Sequence, residues 1–140
     1  MILPITLTIA AAAALLNIWL TIRVGRVRTS QKVMTGDGGN PVVLGRMRAH
    51  ANFIENTPIV LILLGAIELA KGPQTWLWLV AIVYILARIA HPFGMDRPVQ
   101  NPLRTGGSAI SVIVMIGLAG YALSIPYMSK PAPAVTHIVG

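Results

Sequence analysis

The chain has 140 residues, of which 55% are hydrophobic and only 11% are charged, against about 25% charged in typical soluble domains. A soluble core of this size would need a charged shell that the sequence lacks, so the composition argues against a soluble protein and indicates one membrane domain. The net charge of +7 comes from basic residues that flank apolar segments rather than forming one basic face. This pattern argues against nucleic acid as a partner and favours membrane lipids or an anionic substrate.

Four segments are long enough to cross a bilayer, which takes about 20 apolar residues. Their apolar parts cover residues 2–22, 53–70, 76–90 and 109–127, and with their polar ends we predict spans at about 2–28, 41–71, 74–95 and 103–127. The predicted fold class is an all-α membrane protein, a four-helix up-down bundle within residues 1–128, followed by a flexible tail over 129–140. No positive charge precedes the first segment, so we expect it to be retained rather than cleaved as a signal peptide.

The connections between the spans differ in character. The first contains the turn sequence Gly36-Asp37-Gly38-Gly39-Asn40-Pro41, and the second, 71–74, is a tight hairpin. The third, 92–107, is rich in proline and glycine, so we expect the third helix to end near Phe93 or soon after.

Basic residues set the expected orientation. Lys71 and Lys130 lie on one side of the predicted bundle, whereas nine basic residues lie at the two long connections and their flanks. Because Lys and Arg are enriched in cytoplasmic loops, we expect both long connections in the cytoplasm and both termini outside. The nine are Arg23, Arg26, Arg28, Lys32, Arg46, Arg48, Arg88, Arg97 and Arg104.

Three polar residues share one face of the second predicted helix. Arg48, Asn52 and Glu55 are separated by steps of four and three residues, which keeps them within roughly 60° of one another on a helix. Polar groups of this kind are rare in membrane helices and usually have a function. One interpretation is a self-contained Arg–Glu pair that fixes helix packing. The other is a polar pocket open to the cytoplasm, where Arg48 meets a carboxylate and Glu55 meets an ammonium group.

A second polar stripe lies on the third predicted helix. Tyr84, Arg88, His91 and Met95 share one face if the helix continues past Pro92. Arg88 either snorkels to the interface or contributes to a site, and His91 is either a hydrogen-bonded interfacial histidine or part of that site.

Two further charges have alternative interpretations. Arg104, just before the fourth span, is either a charge that sets topology or a cation that stabilises a thiolate or another anion. Glu68 lies on a different face of its helix from Glu55, near the outer interface, and we interpret it as an interfacial or subunit-packing residue.

Several absences narrow the chemistry. The chain has no cysteine, no HExxH pattern, and histidines that are far apart in sequence, so a metal site is not expected. No GxSxG, Walker or dinucleotide-binding glycine motif occurs.

The run Arg48-Ala49-His50-Ala51-Asn52-Phe53-Ile54-Glu55-Asn56-Thr57-Pro58 resembles the signature of the MAPEG family, the membrane-associated proteins in eicosanoid and glutathione metabolism. The Gly36-Asp37-Gly38-Gly39 turn and Ala87-Arg88 with His91 also resemble bacterial members. Asn56 resembles the microsomal glutathione transferase branch. The leukotriene-conjugating branch has a tyrosine there and two more at the positions of His91 and Met95.

The resemblance implies a four-helix homotrimer in a bacterial inner membrane, with glutathione as co-substrate bound between subunits on the cytoplasmic side, and no metal. It implies glutathione transferase activity toward a lipophilic electrophile, and peroxidase activity toward lipid hydroperoxides, as in detoxification. By position, Arg104 matches the arginine that activates the thiol, with Arg97 as the fallback. The positions that match the glutathione site are Arg26 or Arg28 from the neighbouring first helix, Arg48, His50 from across the interface, Asn52, Glu55, Asn56, Arg88 and His91.

A non-catalytic function is the alternative. A trimeric membrane protein with the same polar stripe would bind a lipid head group or serve a structural role. A transporter is less favoured, because the sequence shows neither a discontinuous helix pair nor an internal repeat.

Overall fold

The computed structural model describes residues 2–128, and every regular element in that range is an α-helix. The helices are α1 (Pro4–Gln31), α2 (Pro41–Lys71), α3 (Thr75–Met95) and α4 (Pro102–Met128). All four are long and apolar enough to cross a membrane. This confirms the prediction of an all-α protein with four membrane helices, whereas the predicted tail over 129–140 lies outside the described residues.

The helices run up and down in sequence order. α1 packs along α2, α3 packs along α4, and α2 also contacts α3 and α4. An ion pair between Arg23 and Asp96 joins α1, about two turns before its end, to the end of α3. At the same end, Asn101 Nδ2 donates a hydrogen bond of 2.8 Å to the carbonyl oxygen of Gly94, which joins the start of α4 to α3. We call this the basic end, defined by Arg23, Arg46, Asp96 and Arg104.

The first two helices are longer than is needed to span the hydrocarbon core of a bilayer. α1 has 28 residues and α2 has 31, which at 1.5 Å per residue gives about 42 and 46 Å. A hydrocarbon core is about 30 Å thick. The apolar part of α2 begins near Phe53, so the segment that carries Arg46 and Arg48 extends out of the core at the basic end.

The connection between α1 and α2 folds as its turn sequence predicts. Gly36, Gly38 and Gly39 have φ values of 63°, 60° and 69°, in the left-handed region that favours glycine. A Cβ at Gly38 would lie only 2.9 Å from Val33 Cγ2. Asn40 then caps α2, because its Oδ1 accepts hydrogen bonds of 2.9 and 3.3 Å from the second and third amides of the helix.

α3 continues through Pro92 and ends at Met95, two residues beyond Phe93. Because the helix is unbroken there, the predicted stripe forms. Tyr84, Arg88 and His91 are all buried, with exposed fractions of 0%, 1% and 4%. These three residues of α3 therefore face the interior of the bundle and not the lipid.

α3 and α4 approach each other closely because Gly107 has no side chain. A Cβ at Gly107 would lie 2.7 Å from His91 Cβ and 3.0 Å from the carbonyl oxygen of Ala87. Contacts that short are not tolerated, so only glycine fits at this position without a shift of the helices.

Glu68 is fully buried and caps α1 at the end of the bundle opposite the basic end. Its carboxylate accepts three hydrogen bonds, of 2.9 Å from Ile5 N, 2.8 Å from Thr6 N and 2.7 Å from Thr6 Oγ1. The first amides of a helix have no partner within the helix and carry partial positive charge, which suits a carboxylate. Because Glu68 is buried within its own chain, the structure gives it this capping role in place of the subunit-packing role considered from the sequence.

We expect Glu68→Gln to destabilise the protein, because it removes the charge and presents an amide group to donors. Hydrogen bonds to charged groups contribute about 1.5–3 kcal/mol, so the free energy of unfolding should fall by about that amount. The measurement is thermal or denaturant unfolding in detergent. The parent protein is the reference, and unchanged stability in Glu68→Gln would contradict the capping role.

We also expect Gly107→Ala to lower the free energy of unfolding by about 1–3 kcal/mol, the usual cost of overpacking. Gly106→Ala is the control, because a Cβ at Gly106 meets no atom within 4 Å. That neighbouring change should leave stability unchanged or raise it, since alanine favours the helix. The same unfolding assay compares them, and a harmless Gly107→Ala would show that α3 and α4 are not closely packed.

Candidate functional site

A cavity of about 380 Å³ opens at the basic end. It lies between the start of α2, the end of α3, the α3–α4 connection and the start of α4. Its walls combine apolar side chains with arginines, which suits a ligand that is partly anionic and partly apolar. The lining residues are Pro41, Val42, Leu44, Gly45, Arg48, Met95, Asp96, Arg97, Pro98 and Arg104.

Three arginines of this cavity come from three different segments. Arg48 lies on α2, Arg97 in the α3–α4 connection and Arg104 on α4. Their side chains make no hydrogen bond or ion pair with another residue within 2–128. Arginine stays charged and binds carboxylates and other oxyanions through several N–H donors at once. Three free guanidinium groups at one cavity therefore favour an anion as its ligand.

The backbone of Arg104 is fixed by its neighbours. Asn101 Oδ1 accepts a hydrogen bond of 3.1 Å from Arg104 N, which caps the start of α4. Gly94 lies against this turn, and a Cβ there would be 2.7 Å from Arg104 Cα. The absence of a side chain at Gly94 lets the start of α4 lie directly against the end of α3, which carries Arg104 to the cavity.

Arg88 and Asn52 meet deeper in the bundle. Arg88 Nη1 donates to Asn52 Oδ1 at 2.6 Å, and Arg88 Nη2 donates to the carbonyl oxygen of Gly107 at 2.7 Å. Arg88 is 1% exposed, so the snorkelling interpretation is wrong. Within residues 2–128 no carboxylate pairs with Arg88. The cation instead joins α2, α3 and α4 through neutral oxygens.

Hydroxyl and aromatic groups complete the surroundings of Arg88. Its guanidinium carbon lies 5.9 Å from the centroid of the Tyr84 ring. The Tyr84 hydroxyl lies 2.9 Å from Thr57 Oγ1, which joins α3 to α2 once more. His91 is buried one turn further on, and the structure records no hydrogen bond for it within residues 2–128. This differs from the hydrogen-bonded interfacial histidine considered from the sequence.

The polar stripe of α2 divides into residues with different surroundings. Arg48 and Glu55 are both exposed and form no ion pair with each other, so the self-contained pair considered from the sequence is not present. Arg48 lines the cavity, whereas Glu55 does not. Asn56 Nδ2 donates at 2.7 Å to the carbonyl oxygen of Asn52 in its own helix. Within a single chain, Arg48 and Arg104 therefore line the same cavity, whereas Glu55 lies outside it.

The remaining predicted residues lie along α1 or face it. His50 Nε2 lies 2.8 Å from Asn17 Oδ1 and 3.5 Å from Thr21 Oγ1, so it contacts α1 of its own chain. Arg28 Nη2 lies 3.2 Å from Met47 Sδ. Arg26 is exposed. Neither arginine lines the cavity of its own chain.

Asp96 is a residue of the site that the sequence analysis missed. Its carboxylate forms ion pairs with Arg23 and Arg46, the second with Arg46 Nε 3.5 Å from Asp96 Oδ1. The Arg23 guanidinium also lies over the rings of Trp19 and Phe93, at 4.8 and 5.5 Å from their centroids. The sequence does contain a signal for this pairing, because Asp96 is a lone acidic residue in a connection between basic segments.

We expect Asn52→Ala to destabilise the protein by about 1–3 kcal/mol, because it leaves a buried donor of Arg88 without a partner. Asn56→Ala is the matched control, since Asn56 bonds only to the backbone of its own helix. Unfolding in detergent measures both variants. If Asn52→Ala is no more harmful than Asn56→Ala, the Arg88–Asn52 bond does not stabilise the bundle.

Comparison with known proteins agrees with this fold. The model of the MAPEG family matches residues 6–124. Inner membrane protein YecN of Escherichia coli K12 is 32% identical over 101 residues, which cover 71% of this chain and 76% of that protein. The protein of the same name from strain O6:H1 matches to the same extent. The chain is an integral membrane protein that belongs to the MAPEG family.

Proposed function

We propose that this protein is a membrane-embedded, glutathione-dependent transferase and peroxidase. The observation that carries the proposal is the cavity at the basic end. Arg48, Arg97 and Arg104 line it, and their side chains have no hydrogen-bond or ion-pair partner within residues 2–128. Glutathione is the co-substrate that suits it, because the tripeptide has two carboxylates and a thiol that becomes an anion.

The arginines supply the electrostatic part of the mechanism. A free thiol of this kind ionises near pH 8.5, so it is mostly protonated at neutral pH. A guanidinium group beside the sulfur favours the thiolate, and a decrease of the thiol pKa from about 8.5 to about 6.5 takes roughly 2.7 kcal/mol. Arg104 is the residue proposed for this role, because its cap and Gly94 fix it at the cavity wall. Arg48 and Arg97 then hold carboxylates.

The apolar part of the cavity wall suits the second reactant, a lipophilic electrophile or a lipid hydroperoxide. Val42, Leu44 and Met95 give the cavity an apolar side, and the basic end lies where the helices leave the hydrocarbon core. Glutathione reaches such a site from water and the lipophilic electrophile reaches it from the bilayer. The sulfur of the thiolate bonds to the electrophilic carbon to form a thioether; either the leaving group departs with the electrons of its bond to that carbon, or an activated double bond opens and takes up a proton. With a lipid hydroperoxide, the O–O bond breaks: two glutathione molecules are oxidised to the disulfide, and the hydroperoxide is reduced to the alcohol and one molecule of water.

A homotrimer would complete this site. Glu55 is an exposed carboxylate with no partner in its own chain within residues 2–128, although an isolated charge at membrane depth is costly. Arg26 and Arg28 lie outside the cavity of their own chain. We propose that Arg26 and Arg28 reach the cavity of a neighbouring subunit. The glutathione site between subunits would also be formed or supported by six other residues: Glu55, Asn52, Asn56, His50, Arg88 and His91.

The basic end sets the proposed orientation. The related YecN is described as an inner membrane protein, and we propose the same membrane for this chain. Because basic connections stay in the cytoplasm, the cavity would open to the cytoplasm, where glutathione is supplied.

We expect purified protein to ionise bound glutathione near neutral pH, seen as thiolate absorbance in an ultraviolet difference spectrum. Arg104→Ala should remove this signal, because the bound thiol would lose its nearest fixed cation. Arg97→Ala should weaken binding of glutathione but keep the thiolate signal at saturating concentration. Comparing the two variants distinguishes an arginine that stabilises the thiolate from an arginine that only binds glutathione. An undiminished signal in Arg104→Ala would contradict the assignment of Arg104.

A thermal shift provides the second readout for the same protein. Glutathione should raise the midpoint of unfolding, and Arg48→Ala should abolish that increase. A short-chain phospholipid with an anionic head group is the comparison ligand. If only the phospholipid stabilises the protein, the cavity binds a lipid head group and the transferase proposal fails.

A further inference from the structure

The carboxylate of Asp96 forms ion pairs with residues of two other helices, α1 and α2. Asp96 is the first residue after α3, and its two oxygens face different partners. Asp96 Oδ2 pairs with Arg23 Nη2 on α1, and Asp96 Oδ1 lies 3.5 Å from Arg46 Nε on α2. The α3–α4 connection is therefore tied at its first residue to both neighbouring helices.

The two arginines are themselves held in place. Arg46 Nη1 donates a hydrogen bond of 3.3 Å to the carbonyl oxygen of Arg23. The Arg23 guanidinium packs on Trp19 and Phe93, whose ring centroids are 5.5 Å apart. The Arg23 side chain is only 13% exposed and the Asp96 side chain 31%. A partly buried network of this kind resists solvent screening better than an isolated surface pair.

No other polar contact in the described range ties this connection to α1 or α2. Asn101 bonds to Gly94 and Val99, and Gln100 bonds to Thr105, so these contacts stay within α3, α4 and the connection itself. Asp96, Arg97 and Pro98 line the cavity. The wall that carries Arg97 is therefore attached to the opposite wall, on α2, through Asp96.

We propose that Asp96 is a positioning residue that closes the cavity at the basic end. It holds the α3–α4 connection against α1 and α2, and so keeps Arg97 and Arg104 beside Arg48. It also keeps Arg23 and Arg46 paired and away from the cavity, whose lining includes neither of them. The proposal concerns the shape of the cavity, so it holds whether the ligand is glutathione or another anion.

The chain has no cysteine, so one introduced thiol reports on this cavity. Met95→Cys places it on the α3 wall, where the side chain lines the cavity and is half-buried. In that background, Asp96→Asn should raise the rate of reaction with a membrane-impermeant maleimide by about fivefold or more, the population change that corresponds to loss of about 1 kcal/mol. Asp96→Glu keeps the charge and should keep the slow rate. Asp37→Asn, in the other long connection, is the matched control and should change nothing.

A double-mutant cycle separates this role from a general loss of structure. Arg23→Gln should raise the labelling rate, and adding it to Asp96→Asn should raise the rate little further, because both changes break the same contact. Arg46→Gln, which removes the longer of the two pairs, should give a smaller increase and stays informative if Asp96→Asn does not fold. A labelling rate in Asp96→Asn within twofold of the parent, or additive effects of Arg23→Gln and Asp96→Asn, would overturn the proposal.

Discussion

The interior of the bundle depends on a cation that has no counter-ion among the described residues. Arg88 is buried between α2, α3 and α4, and it is held by an amide oxygen of Asn52 and the backbone oxygen of Gly107. The same Gly107 oxygen accepts a hydrogen bond of 2.8 Å from Ser111. Because Gly107 has no side chain, α4 comes close enough to α3 for the Arg88 bond to form, whereas the Ser111 bond lies within α4. The close packing of α3 and α4 depends on this contact and on Gly94, which brings Arg104 to the cavity.

The few carboxylates of the chain organise its ends. Glu68 caps α1 at one end, and Asp96 joins three helices at the other. Asp37 Oδ1 accepts a hydrogen bond of 3.1 Å from Gly39 N and closes the turn before α2. Glu55 alone is left without a partner within residues 2–128. Three acids stabilise the fold of the single chain, and the fourth is available for a contact that the single chain does not make.

The helices and part of the candidate site could be predicted from the sequence alone. Apolar length gives the four spans, and helical periodicity places Arg48, Asn52 and Glu55 on one face and Tyr84, Arg88 and His91 on another. Periodicity does not say which partner a polar side chain finds, since partners come from other helices. The Arg88–Asn52 bond, the capping of α1 by Glu68 and the pairing of Asp96 all join residues at least 36 positions apart. Only the packed structure reveals them.

The cap on α1 has a consequence for how the protein is made. The amides of Ile5 and Thr6 find their carboxylate 63 and 62 residues later in the chain. While the ribosome is still synthesising α2, the leading turn of α1 has no internal acceptor, and water or lipid head groups must serve. The N-terminal turn of α1 therefore gains its protein acceptor only when the end of α2 lies beside it, so the first two helices complete their fold as a pair.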